Sequence, residues 1–228
     1  INKLNRIEEE LYVWLDRFTV RNLELIHSPN DNAVTLLQII DKTLTPMGAR
    51  MLKKWMVLPL KEKVMIEERL SVVKYFIDNE ELGENIKHCL REMGDVERLV
   101  SKIATSKISP REVVQLARSL RAIEKVKNYC SQTDLASLKK IGEQLNPCLS
   151  VCERIEKEIV EDPPVAVNKG RVFAKGVDAE LDTLSSLATN SKQILADIQR
   201  RESERTGIPS LKIGFNNVFG YYLEVTNA

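Results

Sequence analysis

The sequence predicts a mainly α fold: a multi-helix bundle with one long projecting helix and small β-hairpins near 165–174 and 211–225. Three observations lead there. The 228 residues include only 9 glycines and 8 prolines, and the longest stretches contain neither, which favours helix over turn-rich β structure. Apolar residues recur at three- and four-residue steps from residue 35 to about residue 162. Around 165–174 and 211–225 that spacing gives way to short β-branched runs and to period-two alternation.

Composition bounds the rest. With 43% hydrophobic, 29% charged and 5% aromatic residues, the chain has enough apolar mass for one or two domains with a core. No window approaches the roughly 18 consecutive apolar residues of a membrane span, and INKLNRIEEE lacks a signal-peptide core, so membrane insertion and secretion are disfavoured. Four cysteines, Cys89, Cys130, Cys148 and Cys152, are too sparse for a disulfide scaffold and suit a reducing compartment, with cytoplasm the default. A balance of 34 Lys+Arg against 33 Asp+Glu removes the overall basic signature of a whole-chain nucleic-acid binder but not a local DNA contact. The chain starts at Ile1 and stops at Ala228 just after an alternating run, and reads as a piece of a longer protein.

Taken in order, ELYVWL (10–15) follows an acidic run and reads as an isolated edge strand. Thr19 would cap a short helix to Leu25, and HSPNDN (27–32) reads as an exposed loop. Leu36, Ile39 and Ile40 share a helical face, and Thr45 before Pro46 is an N-cap followed by proline at the first helical position, in a helix ending near Pro59. Helices follow over 64–79 and over 84–104, the latter broken at Gly94-Asp95. Ser109-Pro110-Arg111-Glu112 is a capping box that opens a helix to about Cys130. Two more, 134–145 and 147–162, end at Pro163-Pro164, before the expected hairpin at 165–174.

From Asp178 no glycine or proline occurs until Gly207, so one helix about 40 Å long is expected at about 1.5 Å per residue. Leu181, Leu184, Leu187, Ala188, Ile194, Leu195 and Ile198 give it an apolar stripe, whereas Gln199 to Thr206 carry no apolar residue. Its far end therefore leaves the core as an arm. Gly207 ends it, Pro209 prevents its resumption, and LKIGF and GYYLEV form a tip hairpin turning at Asn216-Asn217.

No catalytic constellation assembles. His27 and His88 are far apart, and Cys148 and Cys152 at i,i+4 read as core packing rather than as a metal site with His88 and Cys89. The serines at 185–191 lack a nucleophile-elbow context, and Gly214 to Gly220 is followed by Tyr221 rather than Lys, so it is no phosphate-binding loop. Residues 98–127 carry eight cations (Arg98, Lys102, Lys107, Arg111, Arg118, Arg121, Lys125, Lys127), with Arg111, Arg118 and Lys125 seven apart, against Glu112 and Glu124. That stripe reads either as a solvated helix face or as a phosphate-contacting one. At the tip, Lys212 supplies a cation, and Asn216, Asn217 and Tyr221 supply neutral donors that touch phosphate oxygens without reading sequence. The competing reading packs one of Tyr221 and Tyr222 in a small β cluster and leaves the other exposed.

RNLELI (21–26), DKTLTPMGARMLKKWMVLPL (41–60), GDVERLVSKIA (94–104), EDPPVAV (161–167) and ERTGIPSLKIGFNNVFGYYLEV (204–225), in this order, closely resemble the lever (core) region of the MutS family of bacterial DNA mismatch repair proteins. The resemblance covers nearly the whole chain. It implies dimers that recognise mismatches and short insertion loops, built from a mismatch-reading domain, a connector, a helical core with long levers, a clamp and an ATPase domain. Residues 1–20 would be the end of the connector, 21–206 the core and 207–228 the start of the clamp. The family's mismatch-reading aromatic motif and Walker A motif lie outside this sequence, so no such residue is carried over. No catalytic residue and no cofactor is expected here, ATP and Mg belonging to the parent protein. The implied partners are mismatched duplex DNA, a second MutS subunit and a MutL-like protein, with no membrane. Two other readings stay open: a helical scaffold binding protein or RNA through the 98–127 stripe, and a MutS paralogue acting in recombination.

Overall fold

A computed structural model describes residues 9–30 and 32–225. The first eight residues of the expected 1–20 segment, Asp31 of the expected loop and the last three residues of 207–228 lie outside them. Two compact units divide at Val172/Phe173, and among the described residues eleven α-helices and one two-stranded sheet form. No described helix is long and apolar enough to cross a membrane.

In the first unit, Glu9–Leu11 form a 3-10 turn and Tyr12 makes a single antiparallel bridge to Leu60, with Val13 N–H donating to the Pro59 carbonyl at 2.8 Å. The edge strand expected over 10–15 is thus reduced to one bridge. Its partner cannot lengthen, because Pro59 has no N–H and a helix starts at Lys63. Helix α1 (Arg17–Asn22) is capped by Asp16, whose Oδ1 accepts from Thr19 N–H at 2.6 Å, so the cap is Asp16 rather than Thr19 and the helix stops before Leu25. Helix α2 (Leu36–Ile40) opens on a Thr35–Gln38 capping box, and α3 (Pro46–Val57) on the expected Thr45 cap with proline first.

Helices α4 (Lys63–Asp78) and α5 (Glu80–Glu92) follow, then α6 (Val96–Ala104), which Asp95 caps after the break at Gly94. Arg50 of α3 donates to both Asp95 carboxylate oxygens, at 2.8 and 2.7 Å, and to Glu97, while its neighbour Trp55 stacks under Arg69 of α4 at 3.7 Å. These contacts fasten α3 to α6 and α4. The Ser109–Glu112 capping box starts α7 (Pro110–Ser131) as expected, and α8 (Ala136–Gln144) and α9 (Leu149–Glu158) complete the unit.

Helix α7 is its axis, in contact with α5, α6, α8 and α9. Leu116, Ala117 and Leu120 pack with Leu99 and Cys152, supported by Val96, Ile123 and Ile155. Burial of these apolar groups is what holds the bundle together. Fully buried Ser119 satisfies its hydroxyl twice, donating to the Gln115 carbonyl at 2.8 Å and accepting from Gly94 N–H at 3.0 Å. That ties the α5–α6 break to α7.

The hairpin expected at 165–174 does not form. Helix α9 already ends at Glu158, Val167–Lys169 make a 3-10 turn, and Val160 N–H donates to the Val172 carbonyl at 3.0 Å to close the loop. Pro163 and Pro164 supply no N–H for a ladder, and buried Pro163 instead offers its carbonyl to Arg111 Nε at 2.8 Å.

The second unit is described by itself. Asp178 caps α10 (Ala179–Thr189), accepting from Leu181 N–H at 2.8 Å, and α11 (Ser191–Thr206) follows. The uninterrupted helix expected from Asp178 to Thr206 is therefore two helices that meet at Asn190, whose φ is −102° and ψ 20°. Thr189-Asn190-Ser191 explains the joint, since all three side chains compete with helical hydrogen bonding and favour caps. Gly207, at φ 69°, ends α11 in the left-handed conformation as expected.

Strands β1 (Leu211–Asn216) and β2 (Gly220–Val225) then pair antiparallel, with Leu211 opposite Val225 and Asn216 opposite Gly220. The turn is one residue later than the expected Asn216-Asn217: Asn216 ends the ladder and residues 217–219 form the loop. Gly220 at φ 77° closes it, and Asn216 Oδ1 accepts from Val218 N–H at 2.7 Å.

Candidate nucleic-acid interface

Duplex DNA is held mainly by cations and hydrogen-bond donors free to reach phosphate. The two stretches that carry such groups in the sequence differ in whether those groups are free.

On and beside α7 most of the cations are already engaged. Arg121 grips Glu156 of α9 at 3.0 and 2.7 Å and also reaches Glu124 at 3.1 Å. Lys125 pairs with Glu92 of α5 at 3.2 Å, Lys127 donates to the Leu145 carbonyl at 2.9 Å, and Arg111 holds the Pro163 carbonyl and Asp162. Lys102 pairs with Glu112, whose carboxyl falls to a pKa of about 2 because Lys102, and then Ser109, donate to it. Arg118 reaches the Glu161 carbonyl at 3.5 Å. Only Arg98 and Lys107 of the eight make no side-chain hydrogen bond or ion pair to a described residue. The stripe is mostly bundle fastening, and the scaffold reading that relied on it keeps only Arg98 and Lys107 as uncommitted cations.

Cys89, Cys130 and Cys152 are buried in that bundle, but the core packing expected of Cys148 does not form, because Cys148 precedes α9 with a left-handed φ of 47°. Burial, and then a hydrogen bond to Glu156, push the Cys152 thiol up to about 11, and its Sγ donates to the Ala117 carbonyl at 3.4 Å. Cys148 is exposed, and no group of three or more metal-ligating side chains occurs among the described residues.

The hairpin is organised by its register. Leu211, Ile213 and Phe215 stand opposite Val225, Leu223 and Tyr221, so one face carries six apolar or aromatic side chains, with the Phe215 and Tyr221 rings 4.9 Å apart. On the other face Lys212 stands opposite Glu224, Gly214 opposite Tyr222 and Asn216 opposite Gly220. Of the four expected contacts, Lys212 and Asn216 thus share the polar face, Asn217 lies in the loop, and Tyr221 is on the opposite, apolar face. Lys212 makes no ion pair with any described residue.

Tyr222, absent from the expected set, is the tyrosine beside Lys212 and Asn216. Its ring lies across Gly214 so closely that a Cβ there would stand 2.5 Å from Cζ and 2.7 Å from the hydroxyl oxygen. The missing information was loop length, because a shift of one residue exchanges the two faces. A glycine inside an alternating strand was the available signal that something approaches its backbone.

Against known proteins, residues 18–206 match MutS domain III. The whole chain is 57% identical over 227 residues to the DNA mismatch repair protein MutS of Bacteroides fragilis and, equally, to that of Phocaeicola vulgatus; it is 52% identical to that of Flavobacterium johnsoniae. Each alignment takes in all of this chain and 26% of the relative, so the chain spans about a quarter of the length of these relatives.

Proposed function

The chain belongs to the MutS family, whose domain III it carries, and from that premise we propose that it is the core, or lever, with the start of the clamp, of a longer cytoplasmic mismatch repair protein. In this reading residues 1–20 end a connector, 21–206 are the lever and 207–228 begin the clamp. The chain does no chemistry of its own and binds no nucleotide. It links the nucleotide state of an ATPase domain elsewhere in the parent to a clamp that holds duplex DNA without reading its sequence. A second subunit completes the ring around the duplex, and a MutL-like protein receives the signal. DNA at the clamp and ATP at the far end each favour one arrangement of a two-state element, which is all that such coupling requires.

The supporting observation is the continuous match of 18–206 to MutS domain III, followed directly by a hairpin whose cation pairs with no described residue. The test uses the full-length parent with residues 211–225 replaced by a short Gly-Ser linker. Affinity for matched and mismatched duplexes should fall by about tenfold or more, in parallel, because phosphate contacts are sequence-independent. Unchanged affinity, or ATP turnover by the purified chain, would overturn the reading.

A further inference from the structure

We propose that the hairpin meets duplex DNA with its Lys212–Tyr222–Asn216 face, where Tyr222, not Tyr221, donates its hydroxyl to a phosphate oxygen and Gly214 is the seat that holds the ring in place. The proposal rests on the clamp reading above and makes it specific to one side of the hairpin.

Three features carry it. Tyr222 lies over Gly214, and Gly214 sits between Lys212 and Asn216 on one face of β1, so the ring occupies the position between those two residues on that face. The Tyr222 hydroxyl makes no hydrogen bond with any described residue and is free to donate. Asn216 is oriented as well: its Oδ1 is occupied by Val218 N–H at 2.7 Å, which leaves Nδ2, the donor end, as the free end of the amide. Lys212, Tyr222 and Asn216 thus bring three donors to one face, the chemistry that phosphate oxygens accept.

The opposite face offers phosphate one donor, the Tyr221 hydroxyl, and no cation. Leu211, Ile213, Phe215, Leu223 and Val225 offer phosphate nothing, and the Tyr221 ring is engaged with Phe215. One carboxylate, Glu224, stands opposite Lys212 at the base of the polar face. It repels phosphate there and shifts the contact toward Tyr222 and Asn216, nearer the loop. Glycine at 214 matters because any side chain would strike the ring of Tyr222, which would have to leave its place.

The experiment compares Tyr222→Phe, Tyr221→Phe, Lys212→Gln, Gly214→Ala and the double Gly214→Ala/Tyr222→Phe variant in the full-length parent, by titration of a fluorescent matched duplex over a salt series. Tyr222→Phe keeps the ring and removes one neutral donor. It should weaken binding roughly three- to tenfold with no change in salt slope, whereas Tyr221→Phe should have no effect. Gly214→Ala should match Tyr222→Phe, and the double variant should be little worse than either, because both remove the same contact. Lys212→Gln should reduce the salt slope by about 0.9. A loss with Tyr221→Phe but not Tyr222→Phe puts DNA on the other face and overturns the proposal. So does a neutral Tyr222→Phe with the Lys212→Gln slope change intact, although the clamp reading then survives. If no variant alters affinity or slope, the hairpin does not touch DNA and both fall together.

Discussion

Helix α7 and the β1–β2 hairpin reverse the order that charge counting gives them. The stretch around α7 is rich in cations, yet Arg121, Lys125, Lys127, Arg111 and Lys102 all hold groups of their own bundle. The hairpin has a single cation, and it pairs with no described residue. The difference lies in what each element must do to exist. A central helix that buries Leu116, Ala117 and Leu120 brings α5 and α9 alongside, and their carboxylates come within reach of its cations. A two-stranded hairpin has neighbours on few sides and leaves its polar groups to solvent. Free charge, rather than total charge, is what a phosphate backbone meets.

The comparison breaks most visibly at the core. Leu120→Ala removes a side chain 7% exposed, packed with Leu99, Leu116 and Cys152, and should destabilise the chain by about 2–5 kcal/mol in denaturant unfolding. An unchanged midpoint would mean that α7 is not the axis of the bundle. Next in size is a triple substitution, Arg118→Gln, Arg121→Gln and Lys125→Gln, in the full-length parent. If these cations are fastenings, thermal stability drops while duplex affinity and its salt slope stay where they were. A shallower slope would restore the helix as a DNA surface.

Acid probes the same fastenings at smaller amplitude. Glu112 titrates at about 2 in the folded chain against an ordinary 4.5, chiefly because Lys102 and Ser109 donate to its charged form. A depressed carboxylate contributes stability that is complete above pH 4.5 and is lost as pH falls through about 2. Over that window the unfolding midpoint of Glu112→Gln should fall less steeply than that of the parent sequence. Parallel curves would show that the Lys102–Glu112 pair contributes no coupling.

Much of the helical order was legible because caps are local. Thr45 before Pro46 and Ser109 with Glu112 bond within three residues, Gly207 needs only its own left-handed φ, and each starts or terminates a helix where the sequence implied. Elements that need a distant partner were not legible. The strand expected at 10–15 depends on Leu60, and Pro59 and α4 limit that pairing to one bridge. The loop after α9 depends on Arg111, fifty-two residues earlier, which takes the Pro163 carbonyl. At the candidate interface, Lys212 and Asn216 were recoverable from residue type, but the side of Tyr221 was not. A three-residue loop closed by Gly220 decided it.

The smallest effect tests the joint at Asn190, where pattern reading failed for a different reason. The absence of Gly and Pro from 178 to 206 suggested one rod, but three consecutive residues that prefer caps suffice to interrupt it. Asn190 N–H still donates to the Ser186 carbonyl at 2.8 Å, and Ile194 N–H to the Asn190 carbonyl at 3.0 Å, so Asn190 serves as the last acceptor-bound residue of α10 and the first acceptor of α11. Asn190→Ala removes the competing amide and improves helix propensity, a gain of under about 0.7 kcal/mol. It should raise far-UV helical signal by a few residues and the unfolding midpoint slightly. In the full-length parent, a lever made continuous in this way should transmit ATP binding to duplex release at least as fast as before, measured by stopped-flow fluorescence. Slower release would mean that the joint itself is part of the motion, so that bending at Asn190 rather than stiffness along the whole shaft carries the signal.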